Sequence, residues 1–435
     1  MLSGFKFRGG IHPDYFKLTA GSRVRRADLP KEVILPLRQH VGAVCESLIE
    51  EGERVKVGQK IADSESPVSS PIHATISGTV AEISVRSTPT GERVRSIRIE
   101  SDGRDRWLKG KGIDPEKSSR EEILAKIREN GIVGLGGAAF PTHVKLNPPE
   151  GKRVDTVIIN GAECEPYITA DHRLMVEESR RIVRGAKIIA KVLGAERVIF
   201  AVEDNKPDAV ERLRKATSGD FEVLALKTKY PQGDERHLIK AVLNREVPPG
   251  GLPFDVGVVV QNVGTAKAIC DAVCDGIPLV ERVVTVTGDV RKPGNLLVRI
   301  GTLFSNLIEQ CGGPVGAVRK VISGGPMMGI AQSEDVPVIK GTNCILVFSE
   351  RRVVEEEEMP CIRCGRCVDV CPMGLMPFMI RALVEKGKFD ACSEYDIMSC
   401  DECGCCAYVC PAKIPLVQII KRGKMALASA KEVGR

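Results

Sequence analysis

Aromatic residues are scarce in this 435-residue chain, at 4% with a single tryptophan, and none of its basic stretches is interleaved with them. The stacking platforms that nucleic-acid binding relies on are therefore missing, and a formal net charge of +6 from 63 basic and 57 acidic residues is too mild to replace them. No partner role with nucleic acid is expected. An uninterrupted apolar run of about 18 residues is also missing, which argues against a membrane-spanning helix. The opening MLSGFKFRGGIHP has no long apolar region of the secretory kind, so the cytoplasmic side is expected. The six histidines, His12, His40, His73, His143, His172 and His237, are scattered and form no HxxxH or HExxH pair. A histidine metal motif of either kind is thereby excluded, and His143 reads as a surface or satisfied core residue.

The length exceeds what one hydrophobic core organises, so several domains are expected. After an N-terminal arm over residues 1–28, residues 29–105 are Val- and Ile-rich with glycine punctuation, which reads as short β-strands joined by tight turns. This stretch resembles the barrel-sandwich fold of lipoyl and biotinyl carrier domains. Its turn, ADSESPVSSP, has no lysine to carry a prosthetic group, so a scaffolding or docking role follows. Residues 114–280 alternate strand-like and helix-like segments, the pattern of an α/β domain with a mostly parallel sheet and helices on both faces. The expected strands are Val154 to Asn160, Arg197 to Glu203, Phe221 to Lys227 and Asp255 to Gln261. The expected helices are Leu174 to Leu193 and Asp234 to Asn244. In the basic stretch Arg180 to Lys191, the spacing of Ile182, Val183, Ile188 and Ile189 predicts one buried helical stripe. Residues 281–350 begin with a β run, turn through Lys292, Pro293 and Gly294, and enter a helix, resembling a soluble-ligand-binding β-grasp module. The acidic run Glu355 to Glu358 suits a helix start.

Sixteen cysteines would suggest a disulfide scaffold in a short secreted chain, but here eight of them have metal-ligand spacing. Cys361, Cys364, Cys367 and Cys371 precede Pro372 in a CxxCxxCxxxCP run, and Cys400, Cys403, Cys406 and Cys410 precede Pro411 in a second. A CxxCxxC loop wraps three corners of a cubane, while the fourth cysteine of each run ligates the other cluster. Two [4Fe–4S] clusters with crossed ligand sets are expected: Cys361, Cys364, Cys367 and Cys410 on one, Cys400, Cys403, Cys406 and Cys371 on the other. Tetrahedral zinc is the alternative that Cys₄ chemistry leaves open. Cys405 falls outside the spacing and reads as a neighbour of the cluster. Cys45, Cys164, Cys270, Cys274, Cys311, Cys344 and Cys392 read mostly as small buried hydrophobes. Helical spacing of Phe378, Met379, Leu383 and Val384 between the runs gives residues 355–425 the look of an α-helical two-cluster ferredoxin.

Upstream, GIVGLGGAAFPTHVKL packs glycines before a possible helix, as close approach to a phosphate requires. It is followed by NGAECEP, YPQGDE and QNVGT. In this order the segments resemble the flavoprotein subunit that oxidises NADH in respiratory complex I. The resemblance implies that Gly134, Gly136, Gly137, Lys145, Asn160, Gly233, Asp234 and Asn262 hold flavin mononucleotide, and that Glu163 and Glu165 line the nicotinamide side. Two positions depart from that relative: Gln261 stands for a second Asn and Gly264 for an acid.

Over nearly its whole length the sequence resembles the C component of the Rnf complexes, through GGIHP, LPLRQHVGA, GGAAFPTHVKL, NGAECEPYITAD, GGPMMG and the paired cysteine runs. That resemblance implies an NAD(H)-linked oxidoreductase subunit, peripheral on the cytoplasmic face of the membrane. It would work with the other subunits of the complex and take electrons from ferredoxin through one of them. A non-catalytic relay with an empty flavin site and a cobalamin reductase remain the alternatives.

Overall fold

The structure, a computed structural model, describes residues 6–353 and 357–433. Residues 30–101 form two small sheets packed face to face. One contains Glu32–Pro36, Arg93–Ser101, Gly78–Ser87 and Arg54–Val55, and the other Glu46–Ser47, Lys60–Asp63 and Ile72–His73. Alternate residues turn inward, so Val33, Leu35, Ile61, Ile72, Ile97 and Ile99 are buried together. The turn that would bear a prosthetic lysine in a carrier domain is pinned instead. Ser70 N donates to His40 Nε2, and the ammonium of Lys340, reaching across from the β-grasp region, donates to the carbonyls of Pro71 and Gly131. The barrel-sandwich thus serves as a fixed wedge between two other domains.

The central sheet is fully parallel, in the spatial order Glu222–Leu226, Arg197–Glu203, Thr156–Gly161, Val258–Asn262. Alternation along the strands supplies two cores, as an α/β layer requires. Val157, Ile159, Phe200 and Val202 face the helix Ser179–Leu193, whereas Ile158, Ile199, Val258 and Val260 face the helix Glu235–Leu243. The expected stripe of Ile182, Val183, Ile188 and Ile189 is buried in the first of these helices. The single helix expected over Leu174 to Leu193 is two, Ala170–Glu177 and Ser179–Leu193, broken at Glu178 where ψ turns to 22°.

The last β-layer is a six-stranded sheet ordered Arg25–Arg26, Gly294–Arg299, Glu281–Gly288, Cys344–Ser349, Val318–Ser323, Ile330–Gln332. The expected turn through Lys292 to Gly294 leads first into the strand Gly294–Arg299, and the helix Phe304–Gln310 comes after it. The N-terminal segment lends this sheet its edge strand and ties three regions together: Ile11 bridges Tyr230, and Gly10 N donates to the Val370 carbonyl. Gly9 is required there, because a Cβ would lie 2.7 Å from the Cys371 carbonyl. The cysteine-rich end is helical, with Arg366–Asp369, Pro377–Glu385, Cys405–Tyr408 and Leu416–Val433. In the acidic run, Glu357 and Glu358 lie in irregular chain and the two preceding glutamates fall outside the described residues. No helix among the described residues is long and apolar enough to cross a membrane.

Candidate redox site

The strand order reverses direction beside Thr156–Gly161. The chain first steps outward to Arg197–Glu203 and Glu222–Leu226, then returns to place Val258–Asn262 on the other flank. In open α/β sheets a ligand crevice forms at the carboxyl ends of the strands at such a reversal. Asn160 and Asn262 are register partners at those ends. Asn160 Nδ2 donates to the Gly233 carbonyl at 2.8 Å, while Asn262 Oδ1 caps the helix Val263–Cys270 by accepting from Gly264 N and Thr265 N. The glycine-rich loop lies over this pair, since a Cβ on Gly136 would sit 3.5 Å from that of Asn262. Gly137 has φ +120° and open space where a side chain would be. Two contacts fix the loop from behind: Leu135 N donates to Thr265 Oγ1, and buried Arg282 donates to the Leu135 and Lys340 carbonyls. Lys145 is paired with Glu235 at 2.7 Å. Asp234 caps the helix Glu235–Leu243, which sets the turn carrying Gly233. Exposed backbone at Gly136 and Gly137 beside the Lys145 ammonium and two strand-end amides, whose Nδ2 groups donate to the Gly233 carbonyl and to Asp171 Oδ2 and each keep a second N–H, is a lining that fits the phosphate and ring of a flavin nucleotide.

The segment between Asn160 and Thr169 is held from below and from the side. Lys17 Nζ donates to the carbonyls of Glu163, Glu165 and Ile168 at 2.7 to 2.8 Å, and Lys206 Nζ donates to that of Ala162 at 2.6 Å. Such convergence supports the left-handed φ values of 47° at Glu163 and 70° at Tyr167. Burial pushes the Lys17 ammonium down to about 8. Glu163 accepts from Asp171 N and His172 N at the start of the helix Ala170–Glu177. Glu165 accepts from Met327 N and Met328 N of the GGPMMG loop. Gly325 of that loop has no room for a side chain, because a Cβ would meet Glu165 Oε2 at 2.3 Å. Burial raises the Glu165 carboxyl to about 7 despite those two donors. Sequence reasoning missed Lys17, Lys206, Tyr230 and the loop 324–329 as parts of this site. The GGIHP-bearing arm and GGPMMG were visible as segments, but nothing in the one-dimensional text says where they dock.

The eight spaced cysteines gather into two nests. Cys361, Cys364, Cys367 and Cys410 line one cavity of about 120 Å³, together with Phe378, Pro411 and Ile414. Cys371 comes together instead with Cys400, Cys403 and Cys406: burial raises the thiols of Cys371, Cys400 and Cys406, and the nearby Cys403 adds to the rise in all three. Each nest therefore takes three cysteines from one run and the last from the other, and thiolates so grouped suit a cubane. Cys405, buried, lies against Cys403. Of the other seven cysteines, six are buried and Cys274 is half-buried.

Contacts across the domain seam place the second nest against the flavin crevice. Tyr230 Oη donates to the Cys403 carbonyl at 2.7 Å, Gly404 packs on Met327, and Cys164, Tyr230, Cys403 and Cys405 share one buried cluster.

Four family descriptions match successive parts of the chain: an RnfC barrel sandwich hybrid domain over residues 5–104, a Nuo51 FMN-binding domain over 127–271, an SLBB domain over 283–331 and a 4Fe-4S dicluster domain over 360–414. The C component of the proton-translocating ferredoxin:NAD(+) oxidoreductase complex of Clostridium ljungdahlii is 50% identical over 95% of this chain and 92% of its own length. The chain belongs to the RnfC family. An Na(+)-translocating counterpart from Acetobacterium woodii is 45% identical over 98% of both chains. The C component of the ion-translocating oxidoreductase complex of Rhodobacter capsulatus is 44% identical over 98% of this chain and 84% of its own length. The four-part architecture expected of RnfC is the one observed, and its matched domains account for FMN and a pair of [4Fe–4S] clusters as cofactors. The match also runs through the GGIHP segment.

Proposed function

We propose that this chain is the NAD(H)-linked electron-transfer subunit of an ion-translocating ferredoxin:NAD oxidoreductase and works on the cytoplasmic face of the membrane. Electrons from reduced ferredoxin enter through a neighbouring subunit and leave as NADH. The observation that carries this reading is the contact of the buried cysteine nest with the crevice at Tyr230 and Met327, which leaves the other nest open to a partner.

Gly134, Gly136, Gly137, Lys145, Asn160, Gly233 and Asn262 hold the flavin, with Asp234 fixing the Gly233 turn. When bound, a flavin exchanges two electrons with nicotinamide and single electrons with a cluster. Glu163 and Glu165 flank the nicotinamide side. Their carboxylates are spent on backbone N–H groups, so they shape the wall of the site. Lys17 and Lys206 keep that wall in place. Cys361, Cys364, Cys367 and Cys410 ligate the outer cluster, and Cys371, Cys400, Cys403 and Cys406 the inner one. Arg363 and Arg366, both exposed beside the outer nest, add positive charge that favours an acidic redox partner.

Anaerobic purification followed by iron, sulfide and flavin analysis and an NADH titration tests this. Roughly eight irons and one flavin per chain, with cluster absorbance bleached by NADH, are expected. Clusters that NADH cannot bleach would make the chain a relay, and zinc in place of iron would end the proposal.

A further inference from the structure

At the seam between the α/β domain and the cluster domain, three side chains converge, of which His237 and Asp401 have no part in the flavin crevice or the cysteine nests, and Asp234 serves the crevice only through the cap that sets the Gly233 turn. Asp234 and His237 stand at the start of the helix Glu235–Leu243, and Asp401 comes from the loop between Cys400 and Cys403. One ligand atom from each lies within 4.8 Å of the others. His237 Nε2 is 3.4 Å from Asp401 Oδ2 and 3.9 Å from Asp234 Oδ1. His237 is only 5% exposed, and its Nε2 and the Asp401 Oδ2 are both buried without a hydrogen-bond partner.

The spacing discriminates between two ways of satisfying these atoms. A charge-assisted hydrogen bond between imidazolium and carboxylate closes to about 2.7–2.9 Å, well inside the separation seen. Bonds of about 2.0–2.1 Å to nitrogen and oxygen around a tetrahedral cation hold the ligand atoms about 3.3–3.4 Å apart, which is the separation found between His237 and Asp401, whereas Asp234, 3.9 Å from His237, has to close in by about half an ångström on binding. The ligands are also held in place. The Phe7 ring stacks on the imidazole at 4.9 Å, and Asp234 Oδ1 is fixed by two backbone N–H donors. Two carboxylates and a neutral imidazole balance the charge of a divalent ion, and both aspartates keep some solvent access for a water in the fourth position.

We propose that Asp234, His237 and Asp401 bind one divalent first-row cation of zinc's kind, which staples the loop of the inner cluster to the flavin-binding domain. The ligand set has no sulfur and is separate from the cluster cysteines. The inference rests on side-chain placement alone and holds whether or not the chain turns over NAD(H).

The test uses the anaerobically purified holoprotein, stripped of loose metal with a chelator and dialysed against zinc alone, with metal content read by mass spectrometry and the ligand shell by zinc K-edge X-ray absorption. One retained zinc per chain above the full iron complement is expected, with only nitrogen and oxygen neighbours at about 2.0–2.1 Å. His237→Gln should retain zinc at least about tenfold more weakly while keeping its iron, and Asp401→Asn serves as the second variant should the first lose its clusters. No retained zinc in the unaltered protein, sulfur neighbours at about 2.3 Å, or equal retention by an iron-replete variant would each overturn the proposal.

Discussion

Cys361 and Cys364 stand in the open, whereas Cys403 and Cys406 are each only 8% exposed, although the two runs to which they belong have the same spacing. Their surroundings explain the difference. The outer nest is bordered by Ile362, 68% exposed, and by the charged rim of Arg363 and Arg366. Tyr230, Met327 and the N-terminal segment at Gly9 and Gly10 close over the inner nest. Ligand spacing sets what metal group is held, and the domains packed around it set who can reach that group and how its potential is tuned. One nest thus stands open at the surface and the other faces the flavin crevice.

The sharpest way to break this comparison is to remove one nest at a time. Cys403→Ser should cut NADH-driven reduction of an electron acceptor on the order of 100-fold, because the nest beside the crevice is lost. Cys364→Ser should block delivery to a protein partner while NADH still reduces the flavin, which anaerobic stopped-flow absorbance at flavin and cluster wavelengths separates. Equal loss of flavin reduction in both variants would erase the distinction between inner and outer.

On the crevice side, Lys17→Met removes the donor shared by three carbonyls. Hydrogen bonds to a charged group are worth about 1.5–3 kcal/mol, so KM for NADH should rise about tenfold or more with flavin and iron content retained. A fall in kcat at unchanged KM would place Lys17 in a different role. Glu165→Gln tests the same wall through pH. Above about 7 the carboxylate is ionised and grips Met327 N and Met328 N most strongly, and as pH falls through about 7 it gains a proton and the grip weakens. The affinity of the unaltered protein for NADH should therefore decline on acidification with an inflection near 7, and the glutamine variant should lose that inflection. Tyr230→Phe leaves the buried Cys403 carbonyl without its donor at a cost of about 1–3 kcal/mol, and should lower the temperature at which cluster absorbance is lost by a few degrees. The smallest effect belongs to the outer rim. Arg363→Gln with Arg366→Gln should slow reduction by an acidic protein carrier and flatten its dependence on salt, leaving NADH oxidation untouched.

Features governed by short-range spacing were legible in the sequence. The cysteine runs, the strand Arg197–Glu203, the helix from Glu235 to Leu243 between its Asp234 and Asn244 caps, and the buried stripe of the basic helix all follow from local periodicity or capping. The break at Glu178 was not legible, because apolar spacing continues across it while the backbone turns. What surrounds the site was hidden for a different reason. Lys17 reaches Glu165 across 148 positions and Tyr230 reaches Cys403 across 173, and hydrogen bonds between such distant residues leave no periodic trace. Glu163 and Glu165 stood out as acids near the nicotinamide side, yet their occupation by backbone donors depends on the helix Ala170–Glu177 and the loop 324–329 arriving from elsewhere in the chain.

The central claim is that each nest borrows its fourth thiolate from the other run, so that Cys371 belongs with Cys400, Cys403 and Cys406 beside the crevice. Electron paramagnetic resonance of the dithionite-reduced protein carrying Cys371→Ser tests it most directly. The account predicts that the substitution perturbs the same cluster signal as Cys403→Ser and leaves the signal sensitive to Cys364→Ser intact. Perturbation of the Cys364 signal alone would contradict it.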